Sequence, residues 1–319
     1  MKRTALYCCF ILFYGKFYSQ QFPQYTQFIF NKIGYNPAAS GTHPGAIFEI
    51  IGGARTQYIG VSNNSNSQFV SFNYNIFPPR SYSKWHNVGI YIDQDKNGTF
   101  IKNDVWLSYT FHLMLTKKMV MSAGVFAGIK YFKLDVSQLD KGDPAVAKSA
   151  GAVIAYPDIV PGVRISSKKF FADVCIQQVT MFSQKGIGGQ IGSPSKLTPH
   201  YNFSVGKKGA LNDYNTMMVA VNLRGTFTGL PSAEVNIMNY YDKKFALGAS
   251  LRGRNYLCGI VQFRILHNLN VGLAYDLSIN KMFYAAPHNA EIMISISPVF
   301  GGELSPEKVS HRSVDSCSF

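Results

Sequence analysis

Residues 104–115 read Asp-Val-Trp-Leu-Ser-Tyr-Thr-Phe-His-Leu-Met-Leu, and the order of these side chains sets the fold class. Val105, Leu107, Tyr109, Phe111, Leu113 and Leu115 alternate with Asp104, Trp106, Ser108, Thr110, His112 and Met114. A β-strand turns successive side chains to opposite faces, so a period of two builds one greasy face and one mostly polar face. The run is about twice the five or six residues of an average soluble strand. It is long enough to cross a bilayer as a tilted strand, which takes about nine to eleven residues.

The same alternation recurs along the chain. Val70, Phe72, Tyr74 and Ile76 alternate with Ser71, Asn73 and Asn75; Leu257, Gly259, Val261, Phe263 and Ile265 with Cys258, Gln262 and Arg264; and Leu269, Val271, Leu273, Tyr275 and Leu277 with Asn270, Gly272, Asp276 and Ser278. Segments of this kind predict strands near 45–60, 67–77, 85–93, 102–116, 118–132, 159–167, 169–180, 199–208, 214–227, 232–241, 244–252, 255–266, 268–279 and 288–297. Short polar connections join them: Asp95-Lys-Asn-Gly98, Thr116-Lys-Lys118, Ser166-Ser-Lys168 and His267-Asn268. About fourteen strands of about ten residues, an even number joined by hairpins, describe an all-β, transmembrane, antiparallel up-and-down β-barrel over residues 45–298. A soluble two-layer sandwich also alternates. The strand length, the small residues on the polar face (Gly124, Gly128, Gly248, Gly272) and aromatic residues at strand ends favour the membrane barrel.

Composition agrees. Of 319 residues 46% are hydrophobic and only 15% charged, against about a quarter in soluble domains. So apolar a chain is not intrinsically disordered. No apolar run approaches the roughly 18 residues of a membrane-spanning helix. At the N-terminus, Lys2 and Arg3 precede the apolar stretch Ala5 to Tyr14, so residues 1–20 read as a signal peptide and the protein as exported. Cys8 and Cys9 come too early in that stretch for a lipoprotein site. Residues 21–44 either plug the barrel or lead into it from the periplasm, and residues 299–319 form a polar tail carrying Cys317. Cys175 and Cys258 lie on strands that a meander does not make neighbours, so no disulfide framework is expected.

Ionisable residues fall deep in the predicted strands on the polar face: Arg55, Lys130, Arg164, Asp173, Arg224, Arg252, Arg264, Asp276 and Glu291. In a barrel they point into the lumen, because a charge facing lipid costs about 2–4 kcal/mol at the midplane. They serve as structural pairs or as a charged conduction path; among them Lys130, Asp173, Arg224 and Arg264 are candidate lumen charges. The formal charge is +14, and many lysines fall at turns: Lys84, Lys117, Lys118, Lys168, Lys169, Lys207, Lys208, Lys243 and Lys244. There they are solvated, or meet anionic lipid head groups or an acidic protein domain. No recognition helix or basic–aromatic RNA motif accompanies them, so no nucleic-acid partner is expected.

Three local motifs have plainer explanations. Asp93-Gln-Asp-Lys-Asn-Gly98 matches the first half of a calcium loop, but it ends at Asp104 instead of a bidentate glutamate and its flanks read as strands; it is read as a hairpin turn. Gly186 to Gly192 lacks the strand–loop–helix context of a phosphate loop and is read as a connection. Ala145 to Tyr156, without clear alternation, is read as a long partner-facing loop. His112, His200, His267 and His288 stand beside no GxSxG or comparable constellation, so no catalytic residue, metal site or cofactor is expected.

Several segments together carry a family resemblance. Gln24-Tyr-Thr-Gln-Phe-Ile-Phe-Asn31, followed by Asn36-Pro37-Ala-Ala-Ser-Gly41, resembles the opening of the PorP/SprF family of type IX secretion system membrane proteins. Arg55, Gln57, Tyr58 and Gly60 match its Arg-x-Gln-aromatic-x-Gly block, with Tyr58 where tryptophan is common; Val88 to Asp93 with Gly98 is similar to its third strand and turn. Pro157-Asp158, Leu197, His200-Tyr201, Gly248, Arg252, Gly272, Tyr275-Asp276 and Glu291-Ile292 continue the match in order. The resemblance implies an outer-membrane barrel of Bacteroidota, without enzymatic activity, working with other type IX secretion components. It also implies secreted or surface cargo of the adhesin or gliding-motility kind, bound through a C-terminal signal domain, with outer-membrane lipids around the barrel. The alternative is a small-solute porin or lipid transporter with a charged lumen.

Overall fold

The computed structural model describes residues 24–42, 46–77, 83–116, 118–135, 153–180, 198–227, 229–242, 244–266 and 268–298. Residues 1–20, read above as a signal peptide, the C-terminal residues with Cys317, the stretch 145–152 and the glycine-rich 186–192 lie outside the described residues. Fourteen strands follow in chain order: β1 (Phe48–Gln57), β2 (Ser65–Ile76), β3 (Lys84–Asn97), β4 (Phe100–Thr116), β5 (Met119–Leu134), β6 (Val153–Ser167) and β7 (Phe170–Gln177), then β8 (His200–Ala210), β9 (Asn215–Thr226), β10 (Ser232–Tyr241), β11 (Phe245–Arg252), β12 (Tyr256–Leu266), β13 (Leu269–Ser278) and β14 (His288–Ile296). Each pairs antiparallel with the next, and β14 pairs with β1 to close the barrel. Closure removes the two open edges that a sheet of this size would otherwise expose.

The period of two maps onto inside and outside. Along β4, Val105, Leu107 and Tyr109 are exposed, while Asp104, Trp106, Ser108, Thr110 and His112 are buried in the interior. Along β2, Val70, Phe72, Tyr74 and Ile76 point outward, with Ser71, Asn73 and Asn75 inward. The result is a barrel with an apolar outer belt and a polar interior, the inverse of a soluble protein.

The two ends differ. At one end, successive strands are joined across residues 77–83, 117–118, 168–169, 211–214, 242–244 and 267–268, and both Phe48 and Ile296 lie there. At the other, the connections are residues 58–64, 98–99, 135–152, 178–199, 227–231, 253–255 and 279–287, which include the two longest.

Two expectations are corrected and a third, the hairpin at Gly98, holds. The first strand stops at Gln57 instead of running to residue 60: Tyr58 takes a left-handed φ of 58° and its N–H donates to Asn289 Oδ1 at 3.0 Å, turning the chain over β14. The sixth strand starts at Val153, so Val153 to Tyr156 belong to β6 and not to a loop; Ile154 is apolar yet faces inward, which erases the alternation there. The calcium-like segment is a hairpin in which Asp93 and Asp104 oppose each other on β3 and β4, with Gly98 at φ 61° supplying the turn. Its oxygen-bearing side chains are strung along extended backbone instead of wrapping one point.

Residues 24–42 lie inside the barrel. They include a single helical turn, α1 (Lys32–Tyr35), and a 3-10 turn over Pro37–Ala39, and most of their side chains are buried. Tyr25, Phe28, Ile33 and Tyr35 form one cluster with inward residues of the strands, including Phe69, Tyr91, Trp106, Phe126, Phe171, Met218 and Met293. The interior of the barrel is therefore a packed core of mixed character.

Candidate functional site: the filled lumen

Two sets of contacts hold residues 24–42. The first surrounds Thr26 and Gln27. Period-two placement brings Arg55 of β1, Arg252 of β11, Asp276 of β13 and Glu291 of β14 to the same level of the lumen, where all four are buried. Arg55 forms ion pairs with Asp276 at 2.5 Å and Glu291 at 3.1 Å. Arg252 pairs with Glu234 of β10 at 3.1 Å and lies 4.0 Å from Asp276. Both guanidinium groups donate to Thr26 Oγ1, Arg55 at 2.6 Å and Arg252 at 2.9 Å, and that hydroxyl donates to Asp276. Glu291 accepts the backbone N–H groups of Thr26 at 2.7 Å and Gln27 at 3.0 Å. Four charged side chains from four strands thus converge on two residues of the inner segment, with Glu234 holding Arg252 from behind.

The second set holds the Asn36 to Gly41 motif. Asn36 Nδ2 donates to the carbonyls of Val163 and Val174, whose strands β6 and β7 are neighbours, and its Oδ1 caps the 3-10 turn by accepting from the Ala38 N–H. Thr110 of β4 donates to the Pro37 carbonyl at 2.9 Å. Ser40 donates to Asn73 at 2.7 Å and also bonds Asn87. Gly124 of β5 permits this approach: a Cβ there would lie 2.5 Å from the Ala38 nitrogen. Gly41 takes φ 68° between Asn75 and Asn87, a conformation and a space that only glycine accommodates.

Between the two sets, the Tyr35 hydroxyl donates to the Tyr25 carbonyl at 2.5 Å, while Asn202 and the Cys175 thiol donate to the Tyr35 carbonyl. Burial pushes the Tyr35 phenol up to about 12, so it keeps its proton and its donor role at neutral pH. Tyr25 donates to Asp93 at 3.0 Å, its own phenol raised first by burial and then by that carboxylate.

The candidate lumen charges divide. Lys130 lies between Asp104 at 4.0 Å and Asp158 at 3.6 Å, 5.1 Å from the Trp106 ring centre. Asp173 pairs with Arg164 at 2.5 Å, and Arg224 stacks over the Tyr35 ring at 4.6 Å. These three face residues 24–42 or the inner polar layer. Arg264 is half-buried at the end of β12, where the register shifts, and its Nε donates to Asn270 at 3.4 Å.

The remaining motif residues are scattered. Gln57 ends β1 and Tyr58 begins the turn after it; Gly60, at φ 96°, has open space about it. His200 starts β8 with Nδ1 2.6 Å from the Thr198 carbonyl, and Tyr201 packs on Phe227. Tyr275 points outward beside His288, to which it hydrogen-bonds. Glu234, the partner of Arg252, escaped the sequence reading; its inward parity on β10 was the available signal. Cys175 and Cys258 are free thiols, on β7 and β12.

Among the described residues, a cavity of about 40 Å³ lies among Tyr25, Tyr35, Asp93, Asp104, Lys130 and Gln177, room for a few waters.

Solved structures share the architecture at low identity. The monoaromatic hydrocarbon channel TodX, as its deltaS2S3 mutant, aligns with TM-score 0.50 and 11% identity over 84% of this chain and 94% of its own. The Ralstonia pickettii toluene transporter TbuX gives TM-score 0.47 and 14% identity over 83% and 92%. Acinetobacter baumannii outer membrane protein Omp33 gives 0.46 and 12% over 79% and 98%. These are likenesses of fold. No curated protein sequence matches the chain. The family model for type IX secretion system membrane protein PorP/SprF matches residues 17–296. With nearly the whole barrel and its inner segment inside that match, the chain belongs to the PorP/SprF family, outer-membrane components of the type IX secretion system.

Proposed function

We propose that this protein is a non-enzymatic docking barrel that binds or anchors one or a few secreted cargo proteins during type IX export. The observation that carries this reading is the filled lumen. Residues 24–42 are hydrogen-bonded to inward side chains and carbonyls from β1 round to β14, and the charges that could line a pore are spent on one another and on Thr26 and Gln27. A barrel closed in this way offers partners its loops and strand ends rather than a conduit. In this reading residues 24–42 act as a plug, and residues 1–20 are the export signal. The cargo is of the adhesin or gliding-motility kind and docks through its C-terminal signal domain, with other secretion components and outer-membrane lipids as the remaining partners.

Mass spectrometry of the cell surface and culture fluid, comparing a deletion strain with its parent, tests the proposal. Loss of one or two large exported proteins with other exports intact is the expected result. An unchanged profile, together with steady ion conductance of the purified barrel in planar bilayers, would replace it with a porin.

A further inference from the structure

The turn lysines gather at one end of the barrel, and there the outer surface has the layered chemistry of a lipid interface. We propose that this end carries a binding rim for the head groups of anionic glycerophospholipids in the periplasmic leaflet. The inference stands apart from the secretion role and rests on the barrel alone.

Exposed Lys84, Lys118, Lys168, Lys169, Lys207 and Lys244 all lie at the end with the short connections. Transmembrane barrels keep short turns at the periplasmic side and longer loops outside. Residues 135–152 and 178–199 connect strands at the opposite end, so the lysine end faces the periplasm. Among the described residues the exposed acids at this end are Asp213 and Asp242, the latter 2.8 Å from Lys244, so the described rim is basic. At the far end the exposed cations among the described residues are Lys133, Arg254 and Lys281, with Lys96 paired to Asp135.

Side-chain direction separates lipid from an acidic protein as the partner. Lys84 has the parity of exposed Val88 on β3, and Lys207 that of exposed Phe203 and Val205 on β8, so both stand on the lipid face near the ends of their strands, opposite Leu113 and Val219 of the neighbouring strands. The same outward face carries aromatic residues near this end, with Tyr241 stacked on Phe245 at 4.8 Å and Phe48 at 6.1 Å from Phe72. Aromatic residues and cations intermixed on a lipid-facing surface suit the head-group zone of a bilayer. Each lysine near an anionic surface strengthens binding about fivefold, an effect that salt screens.

The full-length barrel, purified in neutral detergent and given equimolar phosphatidylglycerol and phosphatidylcholine, tests the rim by native mass spectrometry of the retained lipid. The expected result is at least fivefold enrichment of phosphatidylglycerol, falling as salt rises. The enrichment is lost in a variant carrying Lys118→Gln, Lys168→Gln, Lys169→Gln and Lys207→Gln whose heat-modifiable gel mobility is unchanged. Equal retention of the two lipids by the native protein overturns the proposal whether or not the variant folds. So does the same enrichment in the folded variant. Preference for lipid A over phosphatidylglycerol overturns it too, since it would turn the rim outward.

Discussion

At the level of single residues, Asp276 holds the most consequential position. It lies 2.5 Å from Arg55 and 4.0 Å from Arg252, and it accepts the Thr26 hydroxyl. Removing one partner of a buried ion pair leaves the other charge uncompensated, a loss of about 3–5 kcal/mol. Asp276→Asn is therefore expected to lower the thermal unfolding midpoint of the purified barrel by several degrees, read from its heat-modifiable gel mobility, and an unchanged midpoint would show the network to be energetically idle. Gly124 gives the complementary test from the backbone side. Because a Cβ there falls 2.5 Å from the Ala38 nitrogen, Gly124→Val should displace residues 36–42 and make them cleavable by added protease in the folded barrel. Resistance equal to the native protein's would mean that the segment has room to shift.

At the level of the element, β4 shows how one period sorts solvent from lipid. Leu107 is outward, 66% exposed and mid-strand, whereas Ser108 beside it is buried in the lumen. Leu107→Arg should cost about 2–4 kcal/mol if it lies at the bilayer midplane and reduce the folded fraction recovered from membranes; normal recovery would move that position out of the hydrocarbon. The same periodicity made every strand legible from the order of residues alone, and turn chemistry did so for the hairpin at Gly98. It failed where inward residues are themselves apolar, as at Ile154, and where a strand rises clear of the bilayer and turns, as at Tyr58. In both places hydrophobicity no longer reports which face a residue occupies.

For the whole molecule, the question is whether the barrel conducts. With residues 24–42 in place and a cavity of about 40 Å³, the native protein is expected to be electrically silent in planar bilayers. A variant lacking 24–42 should show steady conductance, because Arg55, Arg252 and Arg224 then line an open, hydrated lumen. Equal silence in both would mean that the inward strand side chains close the barrel by themselves.

The strand count, the inward and outward faces and the family could all be read from the order of residues, because each depends on local periodicity or on motifs contiguous in the chain. The inward position of Arg55, Asp276 and Glu291 was legible for the same reason. Their convergence on Thr26 was not: Thr26 and Asp276 are 250 positions apart, and their meeting depends on the β1–β14 closure and on the path of residues 24–42 through the lumen. Periodicity assigns a side chain to a face of a sheet, but it carries no information on the depth at which that face is crossed by another segment. Only the closed tertiary structure brings those charges to one level and fills the space between them.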